Sequence, residues 1–210
     1  MGCRSAPGLG TGAARAQIGR LLLRTPPARK AVVANRLRAA ASASKLTGMQ
    51  IRDAAPDDWP GMWAFMRPVI AAGTTFTWET DLGPEQARER WFPPAPGRTF
   101  VAVGADGAVL GTANSVRNHR GPGAHIASAS FMVDPAHSGR GVGRALGTHV
   151  LETARADGFR AMQFNAVVET NTRAVALWKS LGFTVVGTLP EGFAHPEHGY
   201  VGLHIMHRRL

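Results

Sequence analysis

The sequence predicts an α/β fold over residues 49–210, with a mixed, mostly antiparallel central sheet of about seven strands and four helices. Three observations support this prediction. Strand-like and helix-like segments alternate in the order β-α-α-β-β-β-α-β-α-β-β, and no segment is repeated. A glycine-containing turn at 104–107 joins two strand-like runs as a hairpin. A helical pattern separates the next two strands, and such a β-α-β step implies a parallel pair.

The first half of this region contains a strand, two helices and the hairpin. Pro60 suits the first turn of the first helix, and Pro93-Pro94 stops the second. The aromatic and β-branched run at 74–78 predicts a loop or a short strand. In order, we predict a strand at 49–54, a helix from about 59 to 73, a helix at 84–91, and strands at 98–103 and 108–117.

The second half alternates strands with helices. Apolar residues at 142, 146, 150 and 154 line one face of the third helix, and Gly158 suits its C-terminus. Asn171 can cap the fourth helix, which ends by Gly182. The strands of this half are predicted at 124–133, 160–168, 183–188 and about 199–207.

Residues 138–144, which we call the glycine loop, join a predicted strand to a predicted helix and contain glycines at 139, 141 and 143. Glycines let backbone N–H groups approach an anion, and the helix N-terminus adds the positive end of its dipole. No Gly-Lys pair occurs, which excludes a P-loop. Arg144 or Leu146 takes the third glycine position of a dinucleotide fingerprint, which excludes that site. The pattern indicates a pyrophosphate site; the alternative is an ordinary strand-to-helix turn.

The charge of the chain is concentrated at its N-terminus. The whole chain carries a formal charge of +10, but residues 1–48 hold nine Lys and Arg residues and no Asp or Glu. Residues 49–210 hold 15 basic and 14 acidic residues and are nearly neutral. We therefore predict a basic, low-complexity tail at 1–48 and one domain at 49–210, and we do not expect the domain to bind nucleic acid.

Several interpretations of the tail remain open. We favour translated sequence upstream of the true start, since Met49 directly precedes a strand. An Arg- and Ser-rich transit peptide and a basic arm for nucleic acid or membrane are the alternatives. Lipidation at the N-terminus is not expected, because Ala6 replaces the Ser or Thr of that motif.

Composition also bears on location and on metals. No apolar run approaches a membrane span, and the one cysteine, Cys3, lies in the tail, which predicts a cytoplasmic protein without disulfides. The closest histidine pairs, His195 with His198 and His204 with His207, lack a cysteine or an obvious carboxylate as third ligand. We expect no metal site.

The glycine loop resembles the Gln/Arg-x-x-Gly-x-Gly/Ala signature of the GNAT superfamily of N-acetyltransferases, with Gly141, Val142 and Gly143 in the last three positions. Ser138 replaces the Gln or Arg. The downstream segment 171–183 also matches the family's Asn-x-x-Ala-x-x-x-Tyr-x-x-x-Gly-Phe, except that Trp178 replaces the tyrosine.

The resemblance implies acetyl-CoA as co-substrate, a GNAT fold, and a slot for pantetheine where a parallel pair of strands splays apart. It also implies a set of cofactor-binding residues. Backbone N–H groups near the end of the preceding strand would face the thioester carbonyl, and the glycine loop would hold the pyrophosphate. The predicted cofactor-binding residues are Phe131, Met132, Val133, Ser138, Gly139, Arg140, Gly141, Val142, Gly143, Arg144, Asn171 and Trp178.

Two segments resemble substrate-binding parts of GNAT subgroups. Phe164-Asn165 is similar to acetyltransferases for proline analogues, which implies that Asn165 orients the substrate; the alternative is a buried amide satisfied by backbone. Residues 73–79, which we call the substrate loop, resemble phosphinothricin-type relatives and supply Thr75, Phe76 and Trp78. The aromatic residues could equally form a small satellite core.

Direct attack of the amine on the thioester is the economical mechanism, because residues 49–210 contain no cysteine and no Gly-x-Ser-x-Gly elbow. The general base is unknown. The glutamate of phosphinothricin-type relatives corresponds to Ser128, and Glu79, Glu169 and His125 are candidate replacements.

We predict an acetyl-CoA-dependent N-acetyltransferase for a small amino-acid-like amine, as the resemblance implies. A protein N-acetyltransferase and a non-catalytic acyl-CoA sensor are the alternatives, and nucleic-acid or membrane binding through the tail is a third. We expect no membrane partner for the domain, and a homodimer is left open.

Overall fold

The structure is a computed structural model that describes residues 48–210, so the predicted tail lies outside the described residues except for Gly48. Seven strands and four α-helices follow the predicted order. The strands are β1 (Gln50–Asp53), β2 (Arg98–Val103), β3 (Val109–Arg117), β4 (Ile126–Val133), β5 (Ala161–Val168), β6 (Thr184–His195) and β7 (Gly199–Arg209). The helices are α1 (Trp59–Ala71), α2 (Pro84–Trp91), α3 (Val142–Ala156) and α4 (Thr172–Ser180). Short 3-10 turns lie at Pro56–Asp58, Gly121–Gly123 and Pro135–His137.

All seven strands form one sheet in the order β1-β2-β3-β4-β5-β7-β6. Neighbours are antiparallel except β4 and β5, the pair that the β-α-β step predicts to be parallel. The predicted mixed, mostly antiparallel sheet is therefore confirmed. The run at 74–78 is a loop, one of the two predicted alternatives, whereas β6 extends to His195, beyond the predicted end at 188.

Alternate residues of the strands supply the two larger hydrophobic clusters, and a third, smaller cluster is formed by Val168, Phe193, Val201 and Leu203. In β2, Phe100 and Ala102 pack with α3 and α4, whereas Val101 packs with α1 and α2. The predicted stripe of α3 is buried, because its apolar positions recur on the face turned toward the sheet. Among residues 48–210, no helix has the length and apolar character needed to cross a membrane.

Gly147 sets how closely α3 packs on the end of α4. A Cβ atom at this position would lie 2.7 Å from Cδ1 of Leu181 and 3.2 Å from Cζ3 of Trp178. Glycine is needed there because the side chains after and within α4 occupy that space.

The parallel pair separates soon after it begins. β4 and β5 pair only at Ile126 with Ala161 and at Ala127 with Met162. Beyond those two pairs the strands diverge toward their C-terminal ends, while β4 stays paired to β3 as far as Val133. The divergence opens the sheet at its centre.

Candidate active site

A cleft of about 1140 Å³ occupies the space between the diverging strands. It is lined from both faces of the sheet, with the glycine loop at one end and the substrate loop at the other. Most of the predicted site residues line it. They are Phe131, Met132, Val133, Ser138, Gly139, Gly141, Val142, Gly143, Arg144, Asn165, Asn171, Trp178, Thr75, Phe76 and Trp78.

The glycine loop presents backbone N–H groups to this cleft. Gly139 and Gly141 have φ angles of 73° and 93°, a region that side chains other than glycine rarely adopt. Gly141 is the N-cap of α3 and provides no side-chain cap, and the first helical hydrogen bond runs from Ala145 N to Gly141 O at 3.0 Å. The N–H groups of residues 142–144 therefore have no acceptor within the helix and suit an anion.

The two arginines of the loop differ in position. Arg144 lines the cleft and donates from Nη2 to Oγ of Ser180 at 2.8 Å, which ties the start of α3 to the end of α4. Arg140 is exposed and is not among the residues that line the cleft. The predicted contact of Arg140 with the cofactor is thus not supported by its position.

The backbone of β4 has a fixed alternation. The carbonyl of Ile126 accepts from Asn118 N at 2.8 Å, and Asp134 N donates to Leu110 O at 3.0 Å. Each bond joins an even-numbered residue of the β4 segment to the β3 segment. Since backbone groups alternate along a strand, even-numbered residues of β4 face β3 and odd-numbered residues face β5.

Two of the three predicted backbone donors therefore face the cleft. The N–H groups of Phe131 and Val133 point into the gap, where β5 no longer pairs with them. Met132 is even-numbered and forms a hydrogen-bonded pair with Thr112, so its N–H is directed to β3 instead. The family resemblance implied all three, and the alternation singles out Met132 as the exception.

Trp178 lies in an aromatic cluster beside these donors. Its ring centroid is 4.7 Å from that of Phe131 and 4.9 Å from that of Phe164, and the side chain is 6% exposed. The indole N–H can donate a hydrogen bond but cannot act as an acid near neutral pH. Trp178, at the position of the tyrosine in the signature that this segment resembles, therefore forms part of the cleft wall and cannot serve as a general acid.

Asn171 and Asn165 are both amides at the cleft, and their surroundings differ. Oδ1 of Asn171 accepts from Ala174 N at 3.2 Å and caps α4, as predicted. Asn165 is exposed in the cleft and bonds two side chains, Gln163 and Asn118. Its interpretation as a buried amide satisfied by backbone is wrong.

A bulge in β5 presents Asn165 to the cleft. The register with β7 shifts between Phe164 and Val167, and both of those side chains pack into the same core. The two residues between them, Asn165 and Ala166, are exposed and line the cleft. The bulge thus interrupts the alternation where the site needs an outward side chain.

The aromatic residues of the substrate loop both line the cleft and pack against a buried tryptophan. Phe76 and Trp78 line the cleft, and their ring centroids also lie 6.2 and 5.9 Å from that of Trp91. Trp91 is fully buried and donates from Nε1 to Oγ1 of Thr112 at 2.9 Å. The sequence did not single out Trp91, although its place at the end of α2 beside a proline pair is visible there.

The candidate bases lie elsewhere. Glu79 is bound to Arg90, and this hydrogen bond lowers the pKa of the Glu79 carboxyl below its usual range. Glu169 accepts from Gly202 N at 2.6 Å, and His125 Nδ1 lies 3.1 Å from Pro122 O. None of the three lines the cleft, whereas Ser128 does.

Within residues 48–210, the cleft is lined by no carboxylate. Its ionisable side chains are Arg144, Arg173 and His137, and Nδ1 of His137 lies 3.0 Å from Oδ2 of Asp134. The remaining lining near Asn165 consists of hydroxyl, amide and apolar groups. The site can therefore donate hydrogen bonds, but its described lining offers an acceptor amine no negative charge.

The histidines of the final hairpin form local contacts. The rings of His195 and His198 stack with centroids 4.5 Å apart, and Nδ1 of His204 lies 2.8 Å from Oγ1 of Thr188. In the described part of the chain, no three potential metal ligands come together.

Comparison with known proteins gives a family match and related structures. The model of the acetyltransferase (GNAT) family matches residues 62–183, more than half of the chain. A solved GCN5-related N-acetyltransferase from Kribbella flavida is 58% identical, with a TM-score of 0.76 over 78% of this chain and 99% of that one. A phosphinothricin acetyltransferase from Sinorhizobium meliloti, solved with AcCoA, is 23% identical and shares the fold, with a TM-score of 0.70 over 77% and 88% of the two chains.

Two curated relatives match over shorter stretches. N-acetyltransferase aca1 of Schizosaccharomyces pombe is 33% identical over 53% of this chain and 54% of its own length. N-alpha-acetyltransferase RimI of Mycobacterium tuberculosis is 33% identical over 44% of this chain and 56% of its own. The similarity thus spans about half the length of these relatives.

Proposed function

The chain belongs to the GNAT family of acetyltransferases, and on that basis we propose that it transfers the acetyl group of acetyl-CoA to a small amino-acid-like amine. One observation carries the proposal. A single cleft passes between β4 and β5 and joins unpaired backbone donors at the glycine loop to a neutral, partly aromatic chamber at the substrate loop.

The glycine-loop end suits the cofactor. The free N–H groups of residues 142–144 would hold the pyrophosphate of acetyl-CoA, with Arg144 beside it. The pantetheine arm would occupy the gap, where the N–H groups of Phe131 and Val133 lack strand partners. A donor there can stabilise the negative charge that develops on the thioester oxygen as the amine attacks.

The other end suits a small acceptor that carries both an amine and a carboxylate. The Asn165 amide can donate to a carboxylate and accept from an amine, and Phe76 and Trp78 cover the chamber. Among the described residues, the cleft as a whole is lined by two arginines, Arg144 and Arg173, and by no carboxylate. A polyamine would meet no carboxylate, so we favour amino or imino acids.

We propose direct transfer without an acyl-enzyme. The amine nitrogen attacks the thioester carbonyl carbon, the C–S bond breaks with its electron pair on sulfur, and the proton of the amine passes to solvent. The leaving thiolate takes a proton from solvent, since Trp178 cannot supply one. Holding the two reactants in line supplies much of the acceleration.

The proton balance places a condition on the acceptor. No carboxylate lines the cleft within the described residues, and residues 1–47 contain no Asp, Glu or His at all. His137 is the one histidine among the described lining residues, and its Nδ1 lies 3.0 Å from Oδ2 of Asp134, so we propose that the acceptor reacts as the fraction of its amine that is already neutral. This condition also favours direct reaction over a mechanism that needs a strong enzyme base.

A thiol-release assay with acetyl-CoA tests the proposal. The panel contains amino acids, imino acids, polyamines and peptides with free N-termini. We expect release with a member of the first two classes and none with polyamines. Release with peptides alone would support protein acetylation, the second candidate that the similarity to RimI favours. Tight CoA binding without release for any amine would indicate a sensor.

A further inference from the structure

The side chain of Asn165 is held on both sides by other amides. Gln163 donates from Nε2 to Oδ1 of Asn165 at 2.8 Å, and Nδ2 of Asn165 donates to Oδ1 of Asn118 at 2.7 Å. Nδ2 of Asn118 in turn lies 3.1 Å from Nε2 of His119. Asn165 lines the cleft, whereas neither Gln163 nor Asn118 is among its lining residues.

The link to Asn118 crosses a strand. Asn118 follows the last residue of β3, and Asn165 lies in β5, with β4 between them in the sheet. The two residues are 47 positions apart in the chain. In the bulge of β5, Asn165 has no partner residue in β7. Its two hydrogen bonds to other side chains therefore hold it in place.

These two hydrogen bonds give the Asn165 amide one orientation. An amide carries two N–H donors and two carbonyl lone pairs, and a rotation by half a turn exchanges the two ends. Gln163 can donate only to the oxygen, and Asn118 accepts only from the nitrogen as its own amide is placed. One N–H and one lone pair of Asn165 remain for a ligand.

We infer that Asn118 is a positioning residue for the acceptor, acting through Asn165 and assisted by Gln163. This inference rests on the proposed function and specifies how its substrate end works. The remaining N–H of Asn165 is directed to the acceptor's carboxylate and the remaining lone pair to its amine N–H. Without Asn118 the Asn165 amide samples both orientations. In a fraction of encounters its oxygen then faces the acceptor's carboxylate and its N–H groups face the acceptor's amine.

The test is a double-mutant cycle measured with the best acceptor from the thiol-release panel. Asn118→Ala is expected to lower kcat/KM for the acceptor about 3- to 10-fold, the range of one hydrogen bond, with KM for acetyl-CoA unchanged. Asn118→Asp keeps an acceptor for Asn165 Nδ2 and should retain activity within about 2-fold. Arg117→Ala, an exposed neighbour on β3, is the matched control and should match the wild type.

The cycle separates positioning from general support of the fold. In the Asn165→Ala background, Asn118→Ala should cause no further loss, because the group it orients is gone. An equal loss in both backgrounds, or full activity of Asn118→Ala, would overturn the inference while leaving the proposed function intact. A wild-type protein that acetylates no amine would overturn the proposed function and this inference with it.

Discussion

The indole N–H of Trp91 donates to the hydroxyl of Thr112 at 2.9 Å, and this bond fixes the end of α2 against the centre of the sheet. The Thr112 hydroxyl also donates a hydrogen bond to Phe100 O at 2.8 Å. The opposite side of the Trp91 ring supports Phe76 and Trp78 of the substrate loop. One buried side chain therefore connects the sheet to the substrate-loop wall of the cleft.

Trp91→Phe should weaken both stability and acceptor binding. The change removes a buried hydrogen bond and leaves a cavity beside the loop, and we expect a loss of about 1–3 kcal/mol in the free energy of unfolding. Urea denaturation measures this loss, and steady-state kinetics should show a higher KM for the acceptor. Trp59→Phe, whose ring stacks on Trp63, is the control. A raised acceptor KM in that control would contradict the specific role of Trp91.

Gly141→Ala should reduce affinity for acetyl-CoA. Its φ angle of 93° is strained for alanine, and relaxation would turn the N–H groups that begin α3 away from the pyrophosphate. We expect the Kd, measured by isothermal titration calorimetry, to rise about 10-fold or more, equivalent to at least about 1.4 kcal/mol.

Gly158→Ala is the matched control for that experiment. Gly158 has a φ angle of 85° just after α3, at the end away from the glycine loop. The substitution introduces comparable strain and should lower the melting temperature without changing the Kd for acetyl-CoA. Equal losses of affinity in both variants would show that Gly141 acts only through stability.

The pH dependence of acetyl transfer should follow the acceptor rather than the enzyme. If only the neutral amine reacts, log kcat/KM rises with unit slope as pH increases and levels off at the pKa of the acceptor amine. Two accepted substrates whose amine pKa values differ by about one unit should shift the plateau by that amount. A pH profile that is the same for both substrates and is changed by His137→Gln would instead identify His137 as a base.

The Asp58 carboxyl should stabilise the fold except in acid. It accepts from Arg52 at 2.6 and 2.8 Å and from Ala55 N at 2.7 Å, and the Arg52 hydrogen bond is the main reason that its pKa lies below the usual 3.8. A lowered folded pKa means that the stabilisation is present above the unfolded pKa and disappears as pH falls through the folded one.

Asp58→Asn is the variant that tests this pair. At pH 7 it should lose about 1 kcal/mol in the free energy of unfolding, and the difference from the wild type should shrink below about pH 4. Asp57→Asn, at an exposed neighbouring position, is the control and should change the free energy of unfolding at pH 7 by less than about 0.5 kcal/mol. Urea denaturation over this pH range measures both variants.

The element order, the parallel pair and the glycine loop were predictable because each depends on local patterns. Apolar periodicity places α3 on the sheet, and glycines mark the turn before it. Whether the N–H of Met132 faces the cleft depends on which edge of β4 it lies on, and the register with β3 decides that. The Asn118–Asn165 bond depends on a bulge and on a contact across β4, neither of which leaves a periodic signal.

The short pairing of β4 with β5 divides the sheet into two panels, β1 to β4 and β5 to β7, that share only two residue pairs at one end. Beyond that end, no strand pairing joins β4 to β5. The amide groups of a bound pantetheine arm could hydrogen-bond to the unpaired backbone groups there. Bound co-substrate would then stabilise the sheet between its two halves, and amide hydrogen exchange in β4 and β5 should slow together when it binds.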